Sequence, residues 1–229
     1  MRTSLTLAAL LLAPMAFASL AVAQESTESQ GGGGDPTAQA EVQLHRHPTL
    51  FGMLRRNNEI RRGVGLRPHR MNPALTKAAQ DHANYMAQTG QFSHYVNGGH
   101  QYRANKYGFR GGVRENIAMG TGSVAGAFGM WQNSGGHYAS IVSGTTEAGF
   151  GYAVGPNGTP YWVGVYGSPA QGDVTGESEE EVAKAIAERE RKDAERNAGQ
   201  AQGEGNAAGG NASGSANPAG GNNLPDDLP

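Results

Sequence analysis

The spacing of apolar positions changes along this chain, and the changes mark out its elements. From Thr49, residues Leu50, Met53 or Leu54, Asn57 and Arg61 recur at helical intervals, giving a face that starts apolar and ends polar. Thr49, after Pro48, is the expected N-cap. A second helix is predicted to open at Asn72-Pro73, because Asn caps well and Pro at the first helical position already has a helical φ. Its stripe is Leu75, Ala78, Ala79, His82, Ala83 and Met86, and Gly90 ends it. On that small-residue stripe His82 reads as a packed core histidine rather than a ligand. Ser123 caps a third predicted helix with Val124, Ala127, Phe128 and Trp131 on one face. Gly126 and Gly129 weaken it by about 1 kcal/mol each relative to Ala, so it must lean on tertiary packing.

The period then falls to two. Residues 147–154 and 160–167 alternate on either side of Gly155-Pro156-Asn157-Gly158, which predicts an antiparallel hairpin. Phe150, Tyr152 and Val154 alternate with Gly149, Gly151 and Ala153, a set small enough for another layer to approach closely. Residues 178–197 predict a fourth helix, with Ser178 and Glu181 as a capping box and Glu188 with Lys192 as an i,i+4 pair. Its apolar stripe of Val182, Ala183, Ile186 and Ala187 is narrow. Docking on the domain, docking on a partner and a mobile charged helix all remain open for it. Residues 96–113, rich in Gly, Asn, Tyr and Arg, read as a long loop, with His100 as a surface residue.

Composition narrows the picture to one domain between low-complexity ends. Arg2, an apolar run over residues 5–22 and Ala21-Val22-Ala23 read as a secretory signal peptide, residues 1–23, with a retained anchor as the alternative. Residues 24–44 are a flexible linker, 45–170 the folded domain, 171–198 a charged helical segment, and 199–229 a disordered Gly- and Asn-rich tail. With no cysteine among 229 residues, the domain must rest on its hydrophobic core, and a thiol nucleophile or Cys-ligated metal is excluded.

Charge adds an asymmetry. Residues 41–170 carry 12 Lys or Arg against 5 Asp or Glu, which is +7; residues 171–229 carry 5 against 12, which is −7. A basic domain with an acidic tail suggests an anionic partner such as a cell-wall polymer, or a tail that folds back on its own domain. No nucleic-acid partner is expected, and no membrane span once the signal is removed.

Candidate chemistry lies at three points. His94 closes Phe92-Ser93-His94, four residues past the helix-ending Gly90. Glu115 heads Glu-Asn-Ile-Ala-Met-Gly. His137 closes Ser134-Gly135-Gly136-His137 after the Trp131 helix. Two imidazoles and a carboxylate converging on one pocket can bind zinc or another divalent cation, or the carboxylate can orient one ring by a hydrogen bond. Motifs of the common enzyme classes, His-Glu-x-x-His, Gly-x-Ser-x-Gly and Gly-x-Gly-x-x-Gly, are absent from the sequence.

Five pieces, in order, resemble a known family: Phe92-Ser93-His94, Arg114-Glu115-Asn116-Ile117-Ala118, Trp131-x-x-Ser134-Gly135-Gly136-His137, residues 147–153 and residues 161–167. They resemble the CAP superfamily of cysteine-rich secretory, antigen 5 and pathogenesis-related 1 proteins, in its bacterial secreted branch. Asn58-x-x-Arg61 followed by Gly65-Leu66 is similar to the start of that domain. The resemblance implies an α+β class: one three-layer α-β-α sandwich with a small antiparallel sheet, flanked by disordered ends. It also implies a cleft tetrad of two His and two Glu. His94, Glu115 and His137 carry over, but the second Glu is Ser134 here, which removes a charge from the site. Two functions follow as expectations: a secreted module binding a glycan, peptide or lipid, with or without a metal, and a hydrolase. The hydrolase would be metal-assisted or would use Ser93 or Ser134 in a Ser-His-Glu arrangement.

Overall fold

A computed structural model describes residues 44–204. The expected signal peptide and most of the linker and tail lie outside the described residues. A 3-10 turn (Leu44–Arg46) leads into helix α1 (Pro48–Gly63). There follow strand β1 (Arg70–Met71), helices α2 (Pro73–Thr89) and α3 (His100–Lys106), and strand β2 (Val113–Met119). Helices α4 (Val124–Gln132) and α5 (Gly135–Ile141) precede strands β3 (Glu147–Val154) and β4 (Pro160–Gly167), and α6 (Glu179–Glu204) closes the order. The sheet runs β1-β3-β4-β2, with β1 parallel to β3 and the other neighbours antiparallel, so β2 is an edge strand.

Each face of the sheet carries its own core, which makes the three-layer sandwich. On one face Leu50, Met53 and Leu54 of α1 and Phe128 and Trp131 of α4 pack on Phe150, Tyr152, Trp162 and Tyr166. On the other, Leu75, Ala79, Ala83 and Met86 of α2 pack with Phe109, Ile117, Val163 and Val165. The approach of α2 is close enough to require glycine beneath it. A Cβ on Gly149 would lie 2.2 Å from the Leu75 backbone, and one on Gly151 2.4 Å from that of Ala79.

Caps set the boundaries. Asn72 accepts from Leu75 N at 3.0 Å, Gly90 ends α2 at φ 70, and Ser123 accepts from Gly126 N at 3.1 Å, as expected. At α1 the cap is His47 rather than Thr49: its Nδ1 accepts from Thr49 N at 3.3 Å, and Pro48 takes the first helical position. Along α1, Arg61 donates to the carbonyls of Arg67, Ile141, Ser143 and Thr145, tying two loops to one helix.

Three expectations need correction. The stretch 96–113 is not a continuous loop, because α3 forms inside it. Gly99 at its N-cap offers no side-chain bond, so the helix depends on its buried Arg103 and Ala104. Second, the domain does not end at residue 170. Glu177 exchanges main-chain bonds with Met71, at 2.6 and 2.8 Å, forming an antiparallel bridge beside β1. Val182 and Ile186 of α6 then join the α1-side core. Third, α6 continues past residue 198 to Glu204. This segment folds back electrostatically as well: Glu177 pairs with Arg46, Glu179 with Arg62, Glu181 with Arg70 and Asp173 with Arg110.

Candidate functional site

The site is built on the edge strand. Side chains on β2 alternate between faces, and Glu115 shares a face with Ile117, the one turned toward α2 and α3. A carboxylate buried there is costly unless it is paired and hydrogen-bonded. Arg103 of α3 supplies the pairing, with Nη2 donating to Glu115 Oε2 at 2.6 Å, both side chains 1 % exposed. The same guanidinium donates to the carbonyls of Val96 and Asn97 at 2.7 and 3.3 Å, which fixes the loop that carries His94. His94 Nδ1 lies 3.0 Å from Glu115 Oε1. Because the carboxylate accepts, Nδ1 carries the proton and Nε2 is left as an acceptor.

His137 arrives from the opposite layer as the third residue of α5. The neighbouring residue on β2, Asn116, points to that layer and donates from Nδ2 to the His137 carbonyl at 2.8 Å. Successive residues of one strand thus place the two imidazoles, one from each side of the sheet. Their ring centroids stand 6.3 Å apart, tilted by 46°. His94 thus contacts Glu115, which sits within strand β2, and His137 stands beside the His94 ring.

Electrostatics keep the groups in distinct states. Burial pushes the Glu115 carboxyl upward, but the His94 hydrogen bond and the Arg103 and His82 charges outweigh it and hold the pKa below the usual carboxylate value. Burial lowers the His137 pKa, helped by His94. His82 is wholly buried behind the site, its Nε2 3.8 Å from Glu115 Oε1, and burial lowers its pKa to about 4. It is a core residue as expected, yet it borders the cleft carboxylate.

Ser134 is the N-cap of α5 and makes no capping bond through its hydroxyl. Ser93 Oγ accepts from Tyr95 N at 3.2 Å. Neither hydroxyl is hydrogen-bonded to an imidazole among the described residues. His100 opens α3 half-buried and makes no bond to the cleft residues.

The donor set does not fit the three-ligand cation site expected from the sequence. Both Glu115 oxygens are committed to His94 and Arg103, and Ser134 stands where a second carboxylate was expected. Among the described residues no group of three His, Cys, Asp or Glu is placed to hold a metal ion. Two imidazoles on a tetrahedral zinc, at the usual bond length of about 2.0 Å, would bring their ring centroids to about 5 Å. Of the two roles open to Glu115, the geometry matches the orienting one.

Sequence reasoning missed Arg103 and Asn116. Arg103 lay in a stretch read as loop, but a signal existed: Glu115 shares the period-two face of Ile117, and a carboxylate on a buried face demands a buried cation.

With this geometry in place, comparison with known proteins assigns the class. The chain matches the model of the CAP family, the cysteine-rich secretory protein family, over residues 54–166, and that stretch is a CAP domain. The match holds without a cysteine. Similar solved structures include an outer surface protein of Borrelia burgdorferi (18 % identity, TM-score 0.47), covering 59 % of this chain and 97 % of that one. An extracellular protein of Bacillus anthracis containing an SCP domain shares 20 % identity (TM-score 0.46), with 60 % of this chain and 45 % of that one covered. A cysteine-rich secretory protein of Staphylococcus aureus shares 21 % (TM-score 0.41), with 52 % and 38 % covered. This chain thus spans under half of the last two. No curated protein matches the sequence.

Proposed function

We propose that this is an exported CAP-domain protein whose cleft at the β2 edge binds an envelope-associated or extracellular ligand through His94 and His137. The observation that carries the reading is the chain Arg103–Glu115–His94. A buried ion pair fixes the tautomer and direction of a ring that is itself 34 % exposed, so an acceptor nitrogen is held ready for an incoming donor. Such preorganisation lowers the ordering cost of binding. Export rests on Arg2, the apolar run and the Ala-x-Ala site; no helix among the described residues is long and apolar enough to cross a membrane. A binding role is favoured over hydrolysis because neither Ser93 nor Ser134 is hydrogen-bonded to an imidazole among the described residues.

The test is an NMR titration of the imidazole resonances with soluble peptidoglycan fragments released by muramidase. Saturable shifts are expected at the His94 and His137 rings, and loss of saturation in His94→Ala. Binding should also weaken on acidification as His137 takes up a proton. Because the His137 pKa is lowered, that fall should lie below the ordinary histidine value of about 6.5. Shifts mapping to another surface, with both rings unmoved, would overturn the reading.

A further inference from the structure

The two imidazoles are set against strand β2. Gly120 N bonds to the Pro160 carbonyl, and the register pairs Ala118 with Trp162 and Asn116 with Gly164. Even-numbered residues of β2 therefore bond to β4, while the backbone groups of Val113, Glu115, Ile117 and Met119 point away from the sheet. Two side chains confirm that parity by using the outward groups: Gln101 Oε1 accepts from Val113 N at 3.2 Å, and Trp131 Nε1 donates to the Ile117 carbonyl at 3.1 Å. Between these two plugs lie the N–H and C=O of Glu115, for which no hydrogen-bond partner exists among the described residues. Glu115 as a residue is 8 % exposed while its side chain is 1 % exposed, so what solvent reaches there is its backbone.

We infer that the site takes an extended peptide segment, one residue of which exchanges both main-chain hydrogen bonds with Glu115 between the side chains of Gln101 and Trp131. The inference rests on the cleft reading above and names its ligand class. A donor and an acceptor on one strand residue match the C=O and N–H of a single residue of an antiparallel partner, the pattern by which extended peptides join sheet edges. The acetamido group of an amino sugar points its N–H and C=O in opposite directions, and an acyl chain has neither group, so neither presents the pair as one strand residue does. His94 and His137, one from each layer, flank this window. Tyr95, 83 % exposed, follows His94 on the loop that Arg103 ties, and Tyr102, 60 % exposed, precedes Arg103 on α3, so two exposed rings adjoin the residues that hold Glu115.

The experiment uses full-length labelled protein and two probes: acetylated, amidated octapeptides selected from a randomised library on the immobilised protein, and peptidoglycan glycan strands stripped of their stem peptides. A selected peptide should move the Glu115 amide proton downfield and slow its hydrogen exchange. One backbone N-methyl group on the residue facing Glu115 should weaken binding about tenfold or more, and on the next residue, whose N–H points away, less than about twofold. Failure to select any saturable binder, tolerance of N-methylation at every position, or binding without protection of the Glu115 amide overturns the inference. If stripped glycan shifts both imidazoles while that amide stays unprotected, the cleft reading stands and the peptide inference falls. If the amide is already protected in free protein, in step with a concentration-dependent dimer, a second copy occupies the edge and the inference likewise falls.

Discussion

Two glutamates are buried near opposite sides of this sheet, and they are satisfied in different ways. Glu147, at the start of β3 beside β1, accepts from Asn72 Nδ2 at 2.5 Å and from Gly176 N at 2.9 Å. Its donors are neutral, one of them is main chain, and together they fasten the segment that covers β1. Glu115, on the β2 edge, takes a guanidinium and an imidazole. One carboxylate closes an edge with the segment after residue 170; the other lies on an edge where only the outward backbone groups of Glu115, between Gln101 and Trp131, have no partner among the described residues. Unpaired strand groups are a liability that proteins usually cover, so the gap at Glu115 is where a partner is to be sought.

That contrast can be broken from either side. The largest effect is expected at Arg103→Met, which leaves a buried carboxylate unpaired and frees the His94 loop. The loss should be about 3 to 5 kcal/mol in denaturant unfolding, and a loss below about 1 kcal/mol would show that the pair is not needed. On the covered side, Val182→Ala trims a fully buried contact of α6 and should cost about 2 kcal/mol. An unchanged midpoint would return α6 to the mobile helix that its narrow stripe left open. The smallest effect belongs to the exposed pair of Arg70 and Glu181, 3.1 Å apart. A double-mutant cycle there should give less than about 1 kcal/mol, falling further with added salt.

Legibility in the sequence followed the range of the interactions. The β3–β4 hairpin matches its expected limits because a strong turn and strict alternation encode it locally, and α2 because Asn72 and Gly90 mark both ends. Strand β2 was not read as a strand, since Arg114, Glu115 and Asn116 interrupt its apolar pattern; its place comes from pairing with β4. The strap after residue 170 was hidden for a related reason. Its anchors are mainly backbone groups meeting Met71, Asn72 and Glu147, and no side-chain pattern announces a main-chain bridge. Within the site, the cleft imidazoles were legible as a motif, while Arg103 was legible only as a need created by Glu115.

The strap also gives the domain an order in time. Arg70 donates to the carbonyl of Gly176, 106 residues later in the chain, and the α1-side core lacks Val182 and Ile186 until that point has been made. A chain delivered N-terminus first, whether from a ribosome or through an export channel, therefore holds its early helices unfinished while the hairpin emerges. Closing so long a loop is slow relative to local helix formation. The stretch that seals the first strand is made more than a hundred residues after it, so completion of the fold waits for the segment that carries Gly176, Val182 and Ile186.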